Sequence, residues 1–92
     1  MLISFTGVKN FEMQLSRRNQ ALSGKNLVTS ARSDLAASCF ELCQGVDGTL
    51  SLDFFYQDKH CNCNWASVRT GTGSLIPARA NYYEIVCKHS LE

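Results

Sequence analysis

From Ser33 to Gln44 the apolar side chains recur with a helical period. Leu35, Cys39, Leu42 and Cys43 fall at i, i+4, i+7 and i+8, one stripe that Ala36 and Phe40 widen. Ser33 suits the N-cap, Asp34 suits the positive end of the helix dipole, and Gly45 offers a stop. The pattern predicts a helix over Ser33–Gln44. On either side of it the period drops to two. Phe11, Met13 and Leu15 alternate with polar neighbours and predict a strand over Asn10–Leu15, with Ile3 and Phe5 loosely on the same parity. Arg17–Gln20 is polar and reads as a loop. Leu22-Ser-Gly24 reads as a turn into a short strand at Leu27–Thr29, and Thr29–Ser33 as a connector. Leu50, Leu52, Phe54 and Tyr56 share one face of a strand over Leu50–Tyr56; Gln57–His60 turns the chain, and Cys61–Val68 returns as the partner of a hairpin. Thr70–Ser74 reads as a flexible loop and Leu75-Ile76 as a brief extension before Pro77. Asn81–Cys87 reads as the last strand, with Tyr83, Ile85 and Cys87 on one face. Strands, one helix, then strands predict an α+β fold with the helix across an antiparallel sheet.

Composition narrows the class. Ninety-two residues make one domain with a modest core, in which covalent staples matter. A hydrophobic content of 45% with 18% charge is globular rather than disordered composition. A net charge of +1 gives no global attraction to nucleic acid or anionic membrane. No apolar run approaches the roughly 18 residues of a membrane span. Met1–Phe5 lacks the basic start and long apolar stretch of a secretory signal, so the signal of a secreted protein would lie outside this sequence. Leu91-Glu92 reads as a cloning remnant, which leaves residues 1–90 as the domain. No Asn-x-Ser/Thr sequon is present, so no N-glycan is expected.

The five cysteines change the picture most. Cys39 and Cys43 share a helix face, and Cys61 and Cys63 share a strand face. Their repeats, roughly 6 Å and roughly 6.5 Å, match well enough to close two disulfides side by side and clamp the helix to the sheet. Spacing leaves the partner assignment open. Cys87 is left over, to pair with an upstream cysteine, to bridge another chain or to stay free. This load points to an oxidising, extracellular compartment. Zinc held by the same thiols with His60 or His89 is the competing reading, but C-x-x-x-C on a helix is less typical of zinc than C-x-x-C.

Catalytic constellations are thin. His60 adjoins Cys61, yet adjacent strand residues face opposite ways. Cys87 and His89 share a face without a third group to orient them. Asp47, Asp53 and Asp58 are scattered over turns and a strand. No enzyme, no cofactor and no metal is expected. The remaining candidates are surface groups. Arg17, Arg18, Lys25 and Arg32 gather positive charge in the first third, suited to an anionic partner. Tyr82 lies off the Tyr83 face and reads as exposed, available to a sugar or protein. Trp65, two residues past Cys63, reads as core, and Thr70–Ser74 as a mobile binding loop.

Phe11, the Leu22-Ser-Gly24 turn, the Cys39-x-x-x-Cys43 helix, the aromatic Phe54-Phe-Tyr56 strand, Cys63-Asn-Trp65, Tyr83 and Cys87 together resemble the PAN/apple family, over about residues 5–88. The resemblance implies a twisted antiparallel sheet of about five strands cradling one helix. It implies a bridge from Cys39 to Cys63. The family's second helix cysteine usually bonds a cysteine just before the aromatic strand, near Leu50–Leu52. None stands there, so Cys61 is the substitute and Cys43–Cys61 the second bridge. It implies no partner within this sequence for Cys87, which matches the family's last cysteine. Functionally it implies an extracellular binding module, commonly part of a larger secreted or surface protein. Protein–protein recognition or adhesion is the first expectation, carbohydrate or glycosaminoglycan binding the second, and a secreted effector or inhibitor the third.

Overall fold

The computed structural model describes residues 11–32 and 34–87, without the side chains of Asn26 and residues 28–32. The expectations placed on Ile3, Phe5, Asn10, His89 and residues 91–92 lie outside that range. The elements are β1 (Phe11–Leu22), β2 (Asn26–Arg32), α1 (Ala36–Gln44), β3 (Ser51–Phe55), β4 (His60–Asn64) and β5 (Leu75–Cys87). Four strands in the order β1-β5-β3-β4 form the body of an antiparallel sheet, and β2 joins β4 as a fifth along an irregular edge. The fold is α+β, with two disulfides stapling the single helix to the sheet.

The helix is shorter than its pattern. Leu35 is the N-cap, with extended φ −135° and ψ 152°, so the helix begins three residues after Ser33 and Asp34 is not in its first turn. The first helical hydrogen bond runs from Cys39 N–H to the Leu35 carbonyl (3.1 Å). That start also rotates the stripe. The face on the sheet is Ala36, Cys39, Phe40 and Cys43, at i, i+3, i+4 and i+7. Leu35 and Leu42, expected within it, are 63% and 40% exposed. Gly45 is the C-cap as expected, its N–H bonded to the Leu42 carbonyl.

Beneath α1 lie Leu52, Phe54, Cys61, Cys63 and Ile85, flanked by Met13 and Tyr83. Each fully buried Leu, Ile or Phe contributes about 1.5–3 kcal/mol. The register explains the set: Met13 faces Ile85, Leu52 faces both Cys63 and Tyr83, and Phe54 faces Cys61.

Arg17–Gln20 is not a loop. β1 continues to Leu22 against a β5 that starts at Leu75 rather than Asn81. Two irregularities, at Leu15/Arg17 and Arg18/Gln20, absorb the mismatch, and Asn19 takes a left-handed φ of 60° there. Pro77 is tolerated because it lies beyond the part of β5 that pairs with β3. Leu22 comes to rest on Tyr82 and Ala66, across the sheet face opposite the helix. Thr29–Ser33 is likewise not all connector, since β2 runs to Arg32. β4 ends at Asn64 rather than Val68.

The bridges are Cys39–Cys61 and Cys43–Cys63, with Cα separations of 5.6 and 5.4 Å. This corrects the expected Cys39–Cys63 and Cys43–Cys61 pairing. From α1 the chain reverses into β3 and reverses again into β4, so β4 runs the same way as α1. First cysteine therefore meets first and second meets second.

Candidate functional site

The sheet face away from α1 carries polar residues, yet it is buried. Ser51, Asp53, Asn64 and Tyr82 have no exposed surface, and Glu84 almost none. The segment after β4 and the end of the β1–β5 ribbon close over them, tied down by the polar side chains themselves. Leu22 N–H donates to Asp53 Oδ1 (3.0 Å), and Asn64 Nδ2 donates to Asp53 Oδ2 and to Ser51 Oγ, both at 3.2 Å. Ser51 Oγ donates to the Ala66 carbonyl (2.7 Å). Tyr82 Oη accepts from Val68 N–H (3.0 Å) and donates to Glu84 Oε2 (2.7 Å), which also accepts from Arg69 N–H (3.0 Å). Burial pushes the Asp53 carboxyl up to about 6, with Leu22 N–H and the Asn64 and Asn62 amides pulling it back. Burial likewise pushes Tyr82 up to about 12. Asn62 Oδ1, Asn64 Oδ1 and Glu84 Oε1 accept no hydrogen bond among the described residues.

This layer positions a surface site. Because β4 stops at Asn64, Trp65 escapes the strand alternation that would have buried it and is 48% exposed, not core. Its N–H donates to the Lys25 carbonyl (3.0 Å), and the Lys25 ammonium lies 5.0 Å from the centre of its ring. Lys25 Nζ also donates to the Thr72 carbonyl (3.3 Å). Lys25 reaches this position from a left-handed φ of 106°, three residues after the Leu22 N–H that Asp53 holds. The loop expected to be flexible is closed on itself. Ser67 Oγ pairs with Thr70 Oγ1 (2.8 Å), the Ser67 carbonyl accepts from Thr72 and Gly73 N–H (3.0 and 3.1 Å), and Gly71 N–H donates to the Val68 carbonyl (2.9 Å). The result is an aromatic ring beside a fixed cation and a rim of hydroxyls.

The expected basic patch is divided. Arg17 and Arg18 are exposed on β1, at one edge of the sheet. Arg32 ends β2 at the other edge, its side chain outside the described set. Of the four cations, Lys25 is the one brought to Trp65. Tyr82, expected at the surface, is fully buried. The sequence reading assumed that the face opposite Tyr83 meets water, as in many antiparallel sheets, whereas here both faces are covered. Trp65, Val68 and Arg69 were missed as site residues. The signal available was the pairing of Ser51 and Asp53 with Asn64 and Asn62, which marks a polar layer needing cover.

Among the cysteines, Cys39, Cys43 and Cys61 place their sulfurs within 4.8 Å of one another. Each is already bonded to another cysteine, and a disulfide sulfur has no thiolate to give a metal. His60 stacks on Phe55 with ring centres 4.6 Å apart, beside a Cys61 that is bridged, so the two form no nucleophile–base pair. Cys87 is exposed and unbridged among the described residues, opposite Phe11. Nearby, a groove of about 390 Å³ opens between the end of α1, the Val46–Thr49 turn, Phe11 and Ile85. The disulfides are compatible with an extracellular location. No helix among the described residues is long and apolar enough to cross a membrane. No protein-family model, curated protein or solved structure matches the chain.

Proposed function

We propose that this chain is an extracellular, non-catalytic recognition module of PAN/apple type, working as part of a larger secreted or surface protein through the face centred on Trp65. The observation that carries the reading is the half-exposed indole fixed by Lys25 on a hydrogen-bonded loop. Large apolar rings are normally withdrawn from water, and a rigid, exposed one beside a cation is the make-up of a contact hot spot. The PAN/apple frame is supported by the C-x-x-x-C helix bridged twice to one strand. The pairing order departs from what that resemblance implies.

The test is binding to arrays of extracellular proteins and glycans. Trp65→Ala should weaken the captured ligand by at least about 30-fold. Its melting temperature should stay near that of the parent, because the ring is not core. A ligand held equally well by the variant would remove this face from the proposal.

A further inference from the structure

We infer that the Trp65–Lys25 face takes a sulfated polysaccharide, an inference that rests on the binding-module reading and names its ligand class. The net charge of +1 conceals a strong separation of signs. Residues 13–33 and 59–83 hold every lysine and arginine except Lys9 and Lys88, seven of the nine, and none of the eight acids. These stretches build most of β1, the turn to β2, β2 itself, β4, the loop after it and most of β5. The acids fall elsewhere. Asp34, Glu41 and Asp47 are exposed on and around α1, Asp58 is exposed in the β3–β4 turn, and Asp53 and Glu84 are buried. The loop that carries Trp65 therefore offers an anion cations without a competing surface carboxylate on its own segment.

Local chemistry specifies the anion. Lys25 Nζ spends one N–H on the Thr72 carbonyl and keeps two for ligand oxygens. The Arg69 side chain, exposed in the same loop, makes no hydrogen bond among the described residues, its backbone N–H being the group that holds Glu84. Thr70 and Thr72 add hydroxyls, and Trp65 adds a flat apolar surface for a sugar ring. A protein partner would need a wider apolar centre than Trp65 and Val68 provide, whereas a chain of sulfated sugars needs a stacking surface and spaced cations.

Surface plasmon resonance with the 92-residue protein tests this against three probes: a heparin oligosaccharide, the same oligosaccharide desulfated, and single-stranded oligo-dT of matched charge. Heparin should bind, and its affinity should fall about tenfold between ~0.1 and ~0.3 M salt, as for two to three cation contacts on a polyanion. The desulfated chain and the DNA should each bind at least about tenfold more weakly. Lys25→Asn with Arg69→Ala should cost about tenfold, asparagine being chosen because it accepts a left-handed φ. Lys25→Arg should retain binding, and Lys59→Ala, in the distant β3–β4 turn, should change nothing. Near-ultraviolet circular dichroism of Trp65 checks that each variant is folded. Equal binding of DNA or of the desulfated chain, or an unaffected Lys25→Asn/Arg69→Ala variant, overturns the inference. If heparin does not bind but another ligand still depends on Trp65, the sulfated ligand is wrong and the recognition face stands. If no ligand depends on Trp65, both fall.

Discussion

Replacing Cys39 and Cys61 together with alanine lowers the melting temperature by roughly 15 °C, and replacing all four bridged cysteines leaves the chain unfolded at room temperature. Each bridge spans 20 or 22 residues, and closing such a loop in the unfolded chain is worth about 3 kcal/mol on the chain-entropy account. For a domain of this size, 1 kcal/mol moves the midpoint by about 4–8 °C. The total stability to draw on is only about 5–15 kcal/mol. The two loops overlap, so the second bridge adds less than the first. Pairs rather than single cysteines should be replaced, in a Cys87→Ser background, because a lone thiol would exchange with its neighbours; Cys43 Sγ already lies 3.7 Å from Cys61 Sγ. Calorimetry reads the midpoints. The pairing is read separately, by cleaving at Glu41 to part the helix cysteines and fragmenting the linked peptides between Cys61 and Cys63. Finding Cys39 joined to Cys63 would contradict a helix parallel to β4.

That parallel direction was open to derivation from the chain. A helix, a reversing turn at Val46–Thr49, a strand and a hairpin contain two reversals, which return β4 to the direction of α1. Cysteine spacing alone could not decide it, because pairs at i, i+4 and i, i+2 align equally well in either sense. The helix itself was legible from its period, but its first turn was not. Ser33-Asp34 is a good local cap, yet the inner stripe begins at Ala36, and packing against β3 and β4 decided where the helix starts.

The missed features share one cause. Ser51, Asp53, Asn62, Asn64 and Glu84 look like a water-facing row, and a strand pattern records polarity, not cover. Cover came from Leu22 and Ala66, which period-two reasoning placed in a turn and in a strand. Once that layer is buried, Tyr82 must be buried with it, and the chain leaving β4 must cross the surface, which lifts Trp65 out. The site was therefore legible in its residue types, an aromatic with cations and hydroxyls, but not in its geometry. That geometry depends on bulges at Ser16 and Asn19 that no turn signal marks.

The same layer makes stability depend on pH in a direction opposite to that of most surface carboxylates, and Asp53→Asn should abolish that dependence. The Asp53 carboxyl is raised from its ordinary value of 3.8 to about 6, first by burial. The folded chain therefore holds this proton more tightly than the unfolded chain. Its stabilising contribution is fully present below pH 3.8 and is lost as pH rises through about 6. The difference corresponds to about 3 kcal/mol, as an order of magnitude. The groups facing Asp53 explain why no charge offsets the cost. β1 presents the Leu22 N–H, β4 presents Asn62 and Asn64, and β5 presents Tyr82 and a second carboxylate, Glu84. No lysine or arginine is among the buried residues. Asparagine at position 53 keeps an oxygen for the Leu22 N–H. Its new NH₂ finds an acceptor when Asn62 or Asn64 turns its amide over, since both now leave their oxygens without a donor. Urea unfolding at pH 4 and at pH 7.5 should show the variant gaining about 3 kcal/mol on the parent between the two conditions. Parallel stability profiles for the two proteins would mean that Asp53 ionises at its ordinary pH and that the layer admits water. Because Asp53 holds the Leu22 N–H that leads to Lys25, the fluorescence of Trp65 should follow the same titration in the parent and stay flat in the variant.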